Sequence, residues 1–168
     1  MEHQQLTDCL RTTRYHSSMR FFLAGIMQGS HKTALLHPQG YRTRIAELLK
    51  NYFPQAEVYD PLADHTESLG YDDQRGREVF HHHIDLCRQF EVVLAFVPEA
   101  SMGTAIEMWE ARQHGRAVIT VSPMHLNWAV KFLSDALYAD LDELETAIRS
   151  GALAATLKEV LDRSRIDK

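Results

Sequence analysis

Cysteine is scarce in this chain: Cys9 and Cys87 are the only two among 168 residues. Two thiols cannot build the disulfide framework of a small secreted domain, so a reducing cytoplasm is the expected compartment. Long apolar runs are missing as well. No stretch approaches the ~20 residues that a membrane-spanning helix requires, so no membrane partner is expected. Residues 1–20 also lack the apolar run of roughly 7–15 residues found in a secretory signal. There is no basic excess: 18 Lys and Arg stand against 23 Asp and Glu, a formal charge of −5. That excludes the electrostatic footprint of a general nucleic-acid binder. No internal repeat or low-complexity tract is present. What remains is ordinary, with 45% hydrophobic and 24% charged residues, the composition of one globular domain able to bury its own core.

The apolar pattern alternates between short continuous runs and helical stripes. Met1–Met19 is a polar arm. Arg20-Phe21-Phe22-Leu23-Ala24-Gly25 reads as a strand buried on both faces, and Ile26–His37 as a loop. From Pro38 onward Tyr41, Ile45, Leu48, Leu49 and Tyr52 recur with helical spacing. Ala56–Tyr59 is a weak strand, Asp60–Gly76 a polar loop, and the segment to about Phe90 a helix with Val79, Leu86 and Phe90 as its stripe. Glu91–Val97 is the strongest strand. Gly103–His114 is helical, Ala117–Val121 is another buried strand, Leu126–Leu137 reads as a helix, and Asp142–Arg149 begins one more. Leu153, Leu157, Val160 and Leu161 mark a final amphipathic segment. Strands alternating with helices predict a parallel α/β sheet, whose ligands bind outside the carboxyl ends of the strands.

The chemistry-bearing residues cluster after those strands. Gly25-Ile26-Met27-Gln28-Gly29-Ser30-His31-Lys32 allows backbone N–H groups to approach a phosphate or sugar, or is simply a turn that needs small residues. Ser101-Met102-Gly103-Thr104-Ala105-Ile106-Glu107 opens a helix directly after the strongest strand. Its N-terminus favours an anion near Ser101 and Gly103, and Glu107 either faces the same crevice or merely complements the helix dipole. His81-His82-His83 suggests metal, but successive helical positions diverge by about 100°. No third ligand appears at recognisable spacing, so no metal is expected. Asp85 precedes the central strand, where it can meet Glu107. Two carboxylates in one pocket supply the nucleophile and acid–base partner that break glycosidic bonds.

Together these stretches resemble the nucleoside 2-deoxyribosyltransferase family, which includes the 2′-deoxynucleoside 5′-phosphate N-hydrolases. The similarity runs from about Arg20 to Glu145, within one domain over residues 20–168 that ends in a helical segment. It implies a flavodoxin-like (Rossmann-like) doubly wound parallel sheet of about five strands in three α/β/α layers, no cofactor, a small-molecule nucleoside or nucleotide as ligand, and a homodimer or larger oligomer. By the same resemblance Glu107 is the nucleophile that attacks C1′, and Asp85 orients it and assists the leaving base. Gly25, Gln28, Gly29 and Ser30 belong to the loop at the sugar and its 5′ group, with Ser101 and Gly103 opposite. Asn127 matches a residue that reaches the neighbouring subunit's 5′ end. Three positions depart from the pattern: Ser101 replaces the Asp of the transferases, as in the 5′-phosphate hydrolases; Phe22 replaces a site Tyr; and Trp109 replaces a Gly.

The resulting expectation is an N-glycosidase that cleaves (deoxy)nucleoside 5′-monophosphates to free base and sugar phosphate. The alternatives are a deoxyribosyltransferase exchanging bases between nucleosides and a non-catalytic nucleotide sensor on the same fold.

Overall fold

A computed structural model describes residues 19–28 and 35–166. Residues 1–18 of the polar arm and the loop residues Gly29, Ser30, His31 and Lys32 lie outside the described residues. Five strands, β1 (Arg20–Gly25), β2 (Glu57–Tyr59), β3 (Val92–Phe96), β4 (Ala117–Val121) and β5 (Ala136–Tyr138), form one sheet in the order β2-β1-β3-β4-β5. Every neighbouring pair is parallel. Their connections carry α1 (Gly40–Tyr52), α2 (Pro61–Asp64), α3 (Asp73–Gln89), α4 (Met102–Gln113) and α5 (Trp128–Leu133), and the chain closes with α6 (Leu141–Arg149) and α7 (Ala152–Ile166). This is the flavodoxin-like strand order, in which the chain reverses its direction of travel between β1 and β3.

Side-chain alternation in the strands divides the core in two. Phe21, Leu23, Val92, Leu94, Ala117 and Ile119 face α1, α6 and α7, where Ile45, Leu49, Leu144, Leu153 and Leu157 cover them. Phe22, Ala24, Val93, Ala95 and Val118 face the other way, toward Cys87 and Phe90 of the α3 segment, Met108 and Ala111 of α4, and Leu133 of α5. A sheet buried on both faces needs apolar residues at consecutive positions, which is why β1, β3 and β4 read as unbroken runs.

Two segments differ from the sequence expectation. Leu126–Leu137 is not one helix. Ser134 turns its hydroxyl onto the Val130 carbonyl and Thr120 Oγ1, each at 2.6 Å. Asp135 then pairs in ladder fashion with Val118, its N–H reaching the Val118 carbonyl at 2.8 Å and its carboxylate accepting the Val118 N–H at 2.9 Å. The chain leaves as β5. The Asp60–Gly76 region is also more structured than a loop, because two aspartates cap helices there. Asp60 Oδ1 accepts from the Leu62 N–H (3.0 Å) and Asp72 Oδ1 from the Arg75 N–H (2.8 Å). Gly76 thus falls inside α3.

Candidate active site

Doubly wound sheets bind ligands at the switch point, here between the carboxyl ends of β1 and β3, and the helix that follows β3, α4, carries Glu107 in its second turn. Thr104, Met108 and Ala111 form the face of α4 that is buried against the sheet. Glu107 lies one position before Met108, so its side chain flanks that stripe rather than pointing into solvent. Desolvation pushes its carboxyl up to about 8, and the Arg42 guanidinium is the charge that opposes this rise. No side chain or backbone group among the described residues hydrogen-bonds it. A carboxyl this strongly shifted by burial beside the strand ends is a candidate for function.

The start of α1 forms the wall across from it. Tyr41 stacks on Phe96 with ring centroids 4.2 Å apart, and its hydroxyl donates to the Ile26 carbonyl at 3.3 Å. Burial holds this phenol at about 12. The ring lies so close over β1 that a Cβ at Gly25 would sit 2.3 Å from the Tyr41 oxygen. Gly25 is therefore required for close packing, whatever else it does. Arg42 follows, tied to the carbonyls of Leu23 (2.9 Å) and Gly25 (3.4 Å) and to Asp60 (2.8 Å).

From the third side, α3 presents Val79, His83 and Cys87. Cys87 is fully buried, and its thiol is raised by burial first and then by the charges of Glu107 and Glu110. His83 is half-buried among the rings of Phe22, Tyr59 and His65, and its Nε2 lies 3.4 Å from the Tyr59 hydroxyl. Desolvation lowers its imidazole to about 4, so it is neutral near pH 7.

Asp85 does not join this group, and the expectation that it meets Glu107 is corrected here. Two residues from both His83 and Cys87, it is rotated by about 200° from each and points away from the sheet. Its carboxylate is exposed and pairs with Arg88 at 2.9 Å, and Arg88 in turn reaches Glu110 at 2.6 Å. Phe22 is wholly buried, stacked on Tyr59 at 5.7 Å and set edge-on to Phe90 at 6.3 Å.

The remaining expected site residues have local roles of their own. Ser101 is the N-cap of α4, accepting the Thr104 N–H at 3.4 Å and sharing a 2.9 Å hydrogen bond with the Thr104 hydroxyl. A Cβ on Gly103 would meet open space, so this glycine leaves the helix entrance accessible. Asn127 caps α5 through Oδ1, which accepts from Ala129 and Val130 at 3.0 and 3.3 Å. Gln28 is exposed, and the His37 N–H donates to the Met27 carbonyl at 2.8 Å. His37 Nε2 then lies 2.8 Å from Glu99, linking the β1 loop to the β3 loop. Among the described residues no cluster of His, Cys, Asp and Glu is arranged to hold a metal, and no helix is long and apolar enough to cross a membrane.

The strand order defines a flavodoxin-like α/β protein. Solved structures share that architecture. The chain is similar to a 2-deoxyribosyltransferase from the psychrotolerant bacterium Bacillus psychrosaccharolyticus, with a TM-score of 0.58 at 14% identity over 75% of this chain and 90% of that one. It is also similar to BlsM, with a TM-score of 0.60 at 19% identity over 88% and 94% of the two chains. The CMP N-glycosidase BcmB of Clostridium botulinum aligns over 77% of this chain and 98% of its own at 19% identity, with a TM-score of 0.45. No family model and no curated protein matches the sequence.

Proposed function

We propose that the protein is an N-glycosidase of (deoxy)nucleoside 5′-monophosphates with Glu107 as its nucleophile. The observation that carries this reading is the state of Glu107: it is partly buried at the switch point, raised to about 8 by desolvation, and without a hydrogen bond to any described residue. A Glu107 oxygen bonds to C1′ as the C1′–N bond breaks, the electron pair leaves with the base, and the base takes up a proton. Water then attacks C1′, displaces the carboxylate, and loses its own proton, giving sugar phosphate and regenerated Glu107. The developing oxocarbenium charge is stabilised by the carboxylate beside it. The 5′-phosphate is placed at the entrance of α4, where the N–H groups of Met102 and Gly103 have no intrahelical partner and Ser101 adds no negative charge.

A base-release assay on a panel of nucleosides and their monophosphates tests this. Glu107→Gln should lose several orders of magnitude in rate while remaining folded, and parent-level turnover by that variant would refute the nucleophile. Base exchange in the manner of the similar 2-deoxyribosyltransferase fold is the second reading; it requires that an added free base be incorporated into new nucleoside.

The same proposal includes a homodimer. Met102, Ile106 and Trp109 lie along the outer face of α4, and Leu126, Trp128 and Phe132 on and beside the neighbouring α5. All six are exposed, from 44% at Ile106 to 83% at Met102. Large side chains present on the order of 100–200 Å² each, so this face approaches the ~800 Å² that each partner of a stable complex buries. A second copy of the chain is the occupant proposed for this exposed apolar face.

A further inference from the structure

Three imidazoles meet at the carboxyl end of β2. The ring of His83, on α3, lies 5.3 Å from that of His65 and 6.0 Å from that of His82. His83 Nε2 is 3.4 Å from the Tyr59 hydroxyl, and His65 Nδ1 is 3.1 Å from the Tyr71 hydroxyl. Phe22 closes the cluster from β1, edge-on to His83 at 6.0 Å. Like charges this close disfavour one another. A neutral imidazole accepts a hydrogen bond at one nitrogen, whereas an imidazolium has donors only. The packing therefore suits uncharged rings.

His65 ties its own segment to α3. The chain from Pro61 to Gly70 consists of the short α2, a connection and a single 3-10 turn at Ser68–Gly70, and most of it is exposed. Among the described residues, the side chains from Leu62 to Gly70 make one hydrogen bond, His65 to Tyr71, and no ion pair. A segment with so few holds opens locally at low free energy. Its root is firmer, since Asp60 grips Arg42 at 2.8 Å beside the end of β1.

Charged and titratable groups face His83 from each element around it. Tyr59 of β2 is raised above the ordinary phenol value by desolvation, so it is uncharged at neutral pH. His65 follows α2, Tyr71 stands behind it, and His82 is the neighbour on α3. Arg42 of α1 opposes a charge on His83, and Asp64 of α2 favours one. Burial outweighs Asp64, and the His83 imidazole is lowered to about 4.

We propose that His83, flanked by His65 and His82, is an acid-opened clasp: uncharged, the rings hold the Pro61–Gly70 segment on α3, and a proton on His83 releases it while the rest of the domain stays folded. Release returns His83 to an ordinary imidazole value of about 6.5. The closed form takes up the same proton only near 4, so the open form gains as pH falls below 6.5. Between pH 7.5 and pH 5 the full difference is about thirtyfold in the opening equilibrium. Water at the half-buried ring screens it to about tenfold.

Amide hydrogen exchange, read by NMR on the full chain, tests the clasp. The N–H groups of Ser68, Gly70 and Tyr71 donate to the carbonyls of His65, Glu67 and Ser68. Turns this short do not persist once detached, so their protection factors report opening. They should fall about tenfold from pH 7.5 to pH 5, with the amides of β1, β3 and β4 still protected. His83→Phe keeps a ring against Phe22 and Tyr59 but takes up no proton, and in it the fall should vanish. Protection that does not change with pH in the parent overturns the clasp, as does a His83→Phe chain that loses protection as the parent does. The ¹³C titration of the His83 imidazole in the parent needs no variant. A midpoint well below 6.5 together with the fall in protection supports the clasp, and a midpoint near 6.5 overturns it even if His83→Phe does not fold.

Discussion

Removing the charge of Glu107 should stabilise the protein, and only at high pH. In the fold this carboxyl is held at about 8, against an ordinary value of 4.5. Between those two values the native state keeps a proton that the unfolded chain gives up. The native state therefore binds more protons across this window, and stability falls as pH rises through it. At about 1.4 kcal/mol per pH unit the full window amounts to about 5 kcal/mol. Glu107 is only partly withdrawn from solvent, and water reaching it screens the burial cost, which leaves about 2–3 kcal/mol.

Glutamine keeps the shape of the side chain and does not titrate. Glu107→Gln and parent should therefore unfold alike near pH 4.5, and the variant should be more stable by about 2–3 kcal/mol at pH 8.5. In a chain of this size that is roughly 5–10 °C in Tm. Differential scanning calorimetry of both proteins at pH 4.5, 6.5 and 8.5 measures it, and taking the difference between the proteins cancels background titrations such as that of His83. A difference that does not change with pH would mean that Glu107 ionises freely in the fold. The desolvation argument would then fail, and the functional reading would lose its main support. Loss of activity coupled to gain of stability is expected of a group placed for chemistry at the expense of folding.

Other consequences follow from the same geometry. The kcat/KM for base release should rise with pH to an apparent limb near 8, the value at which Glu107 is held, as measured in an overlapping-buffer series. Asp85→Asn should leave turnover within about threefold of the parent, since its exposed carboxylate serves Arg88, whereas a general acid–base group contributes about 10²–10⁴-fold. Gly25→Ala drives a Cβ to 2.3 Å from the Tyr41 oxygen and should cost about 1–3 kcal/mol by urea unfolding, with a smaller cost in a Tyr41→Ala background. Trp128→Lys, at a side chain 77% exposed, should convert a dimer to monomers in sedimentation velocity. A parent that is already monomeric at micromolar concentration would refute the self-association.

Legibility in the sequence depended on how completely each element is buried. Strands β1, β3 and β4 are covered on both faces, so Phe21–Ala24, Val92–Ala95 and Ala117–Ile119 are continuous apolar runs. Strand β5 lies at the sheet edge and consists of three half-buried residues, Ala136-Leu137-Tyr138. Its Leu137 falls in helical phase with Val130 and Leu133, which conceals the break. The break itself is made by Ser134 and Asp135, whose hydrogen bonds reach β4 and are not visible in local pattern. The aspartates that cap α2 and α3 read as solvent-facing acids for a similar reason: an acidic run looks the same whether its carboxylates face water or a helix end.

The site shows the same limit at finer scale. Glu107 stands out in the sequence because both of its signals are local, the strand before it and the helix entrance at Ser101. Asp85 looked equivalent, since it too is an acid beside the central strand. What separates the two is helical phase, and on α3 that phase is already written in the apolar stripe. Val79, Leu86 and Phe90 face the sheet, and His83 falls on their line while Asp85 falls opposite. The run of three histidines obscured this, because three imidazoles draw attention to a metal before they draw attention to which one points inward. Arg42 was invisible for the converse reason. A basic residue at the start of an amphipathic helix reads as a solvated face, and its burial is imposed by acceptors from β1 and the end of β2, brought together only when the parallel sheet forms.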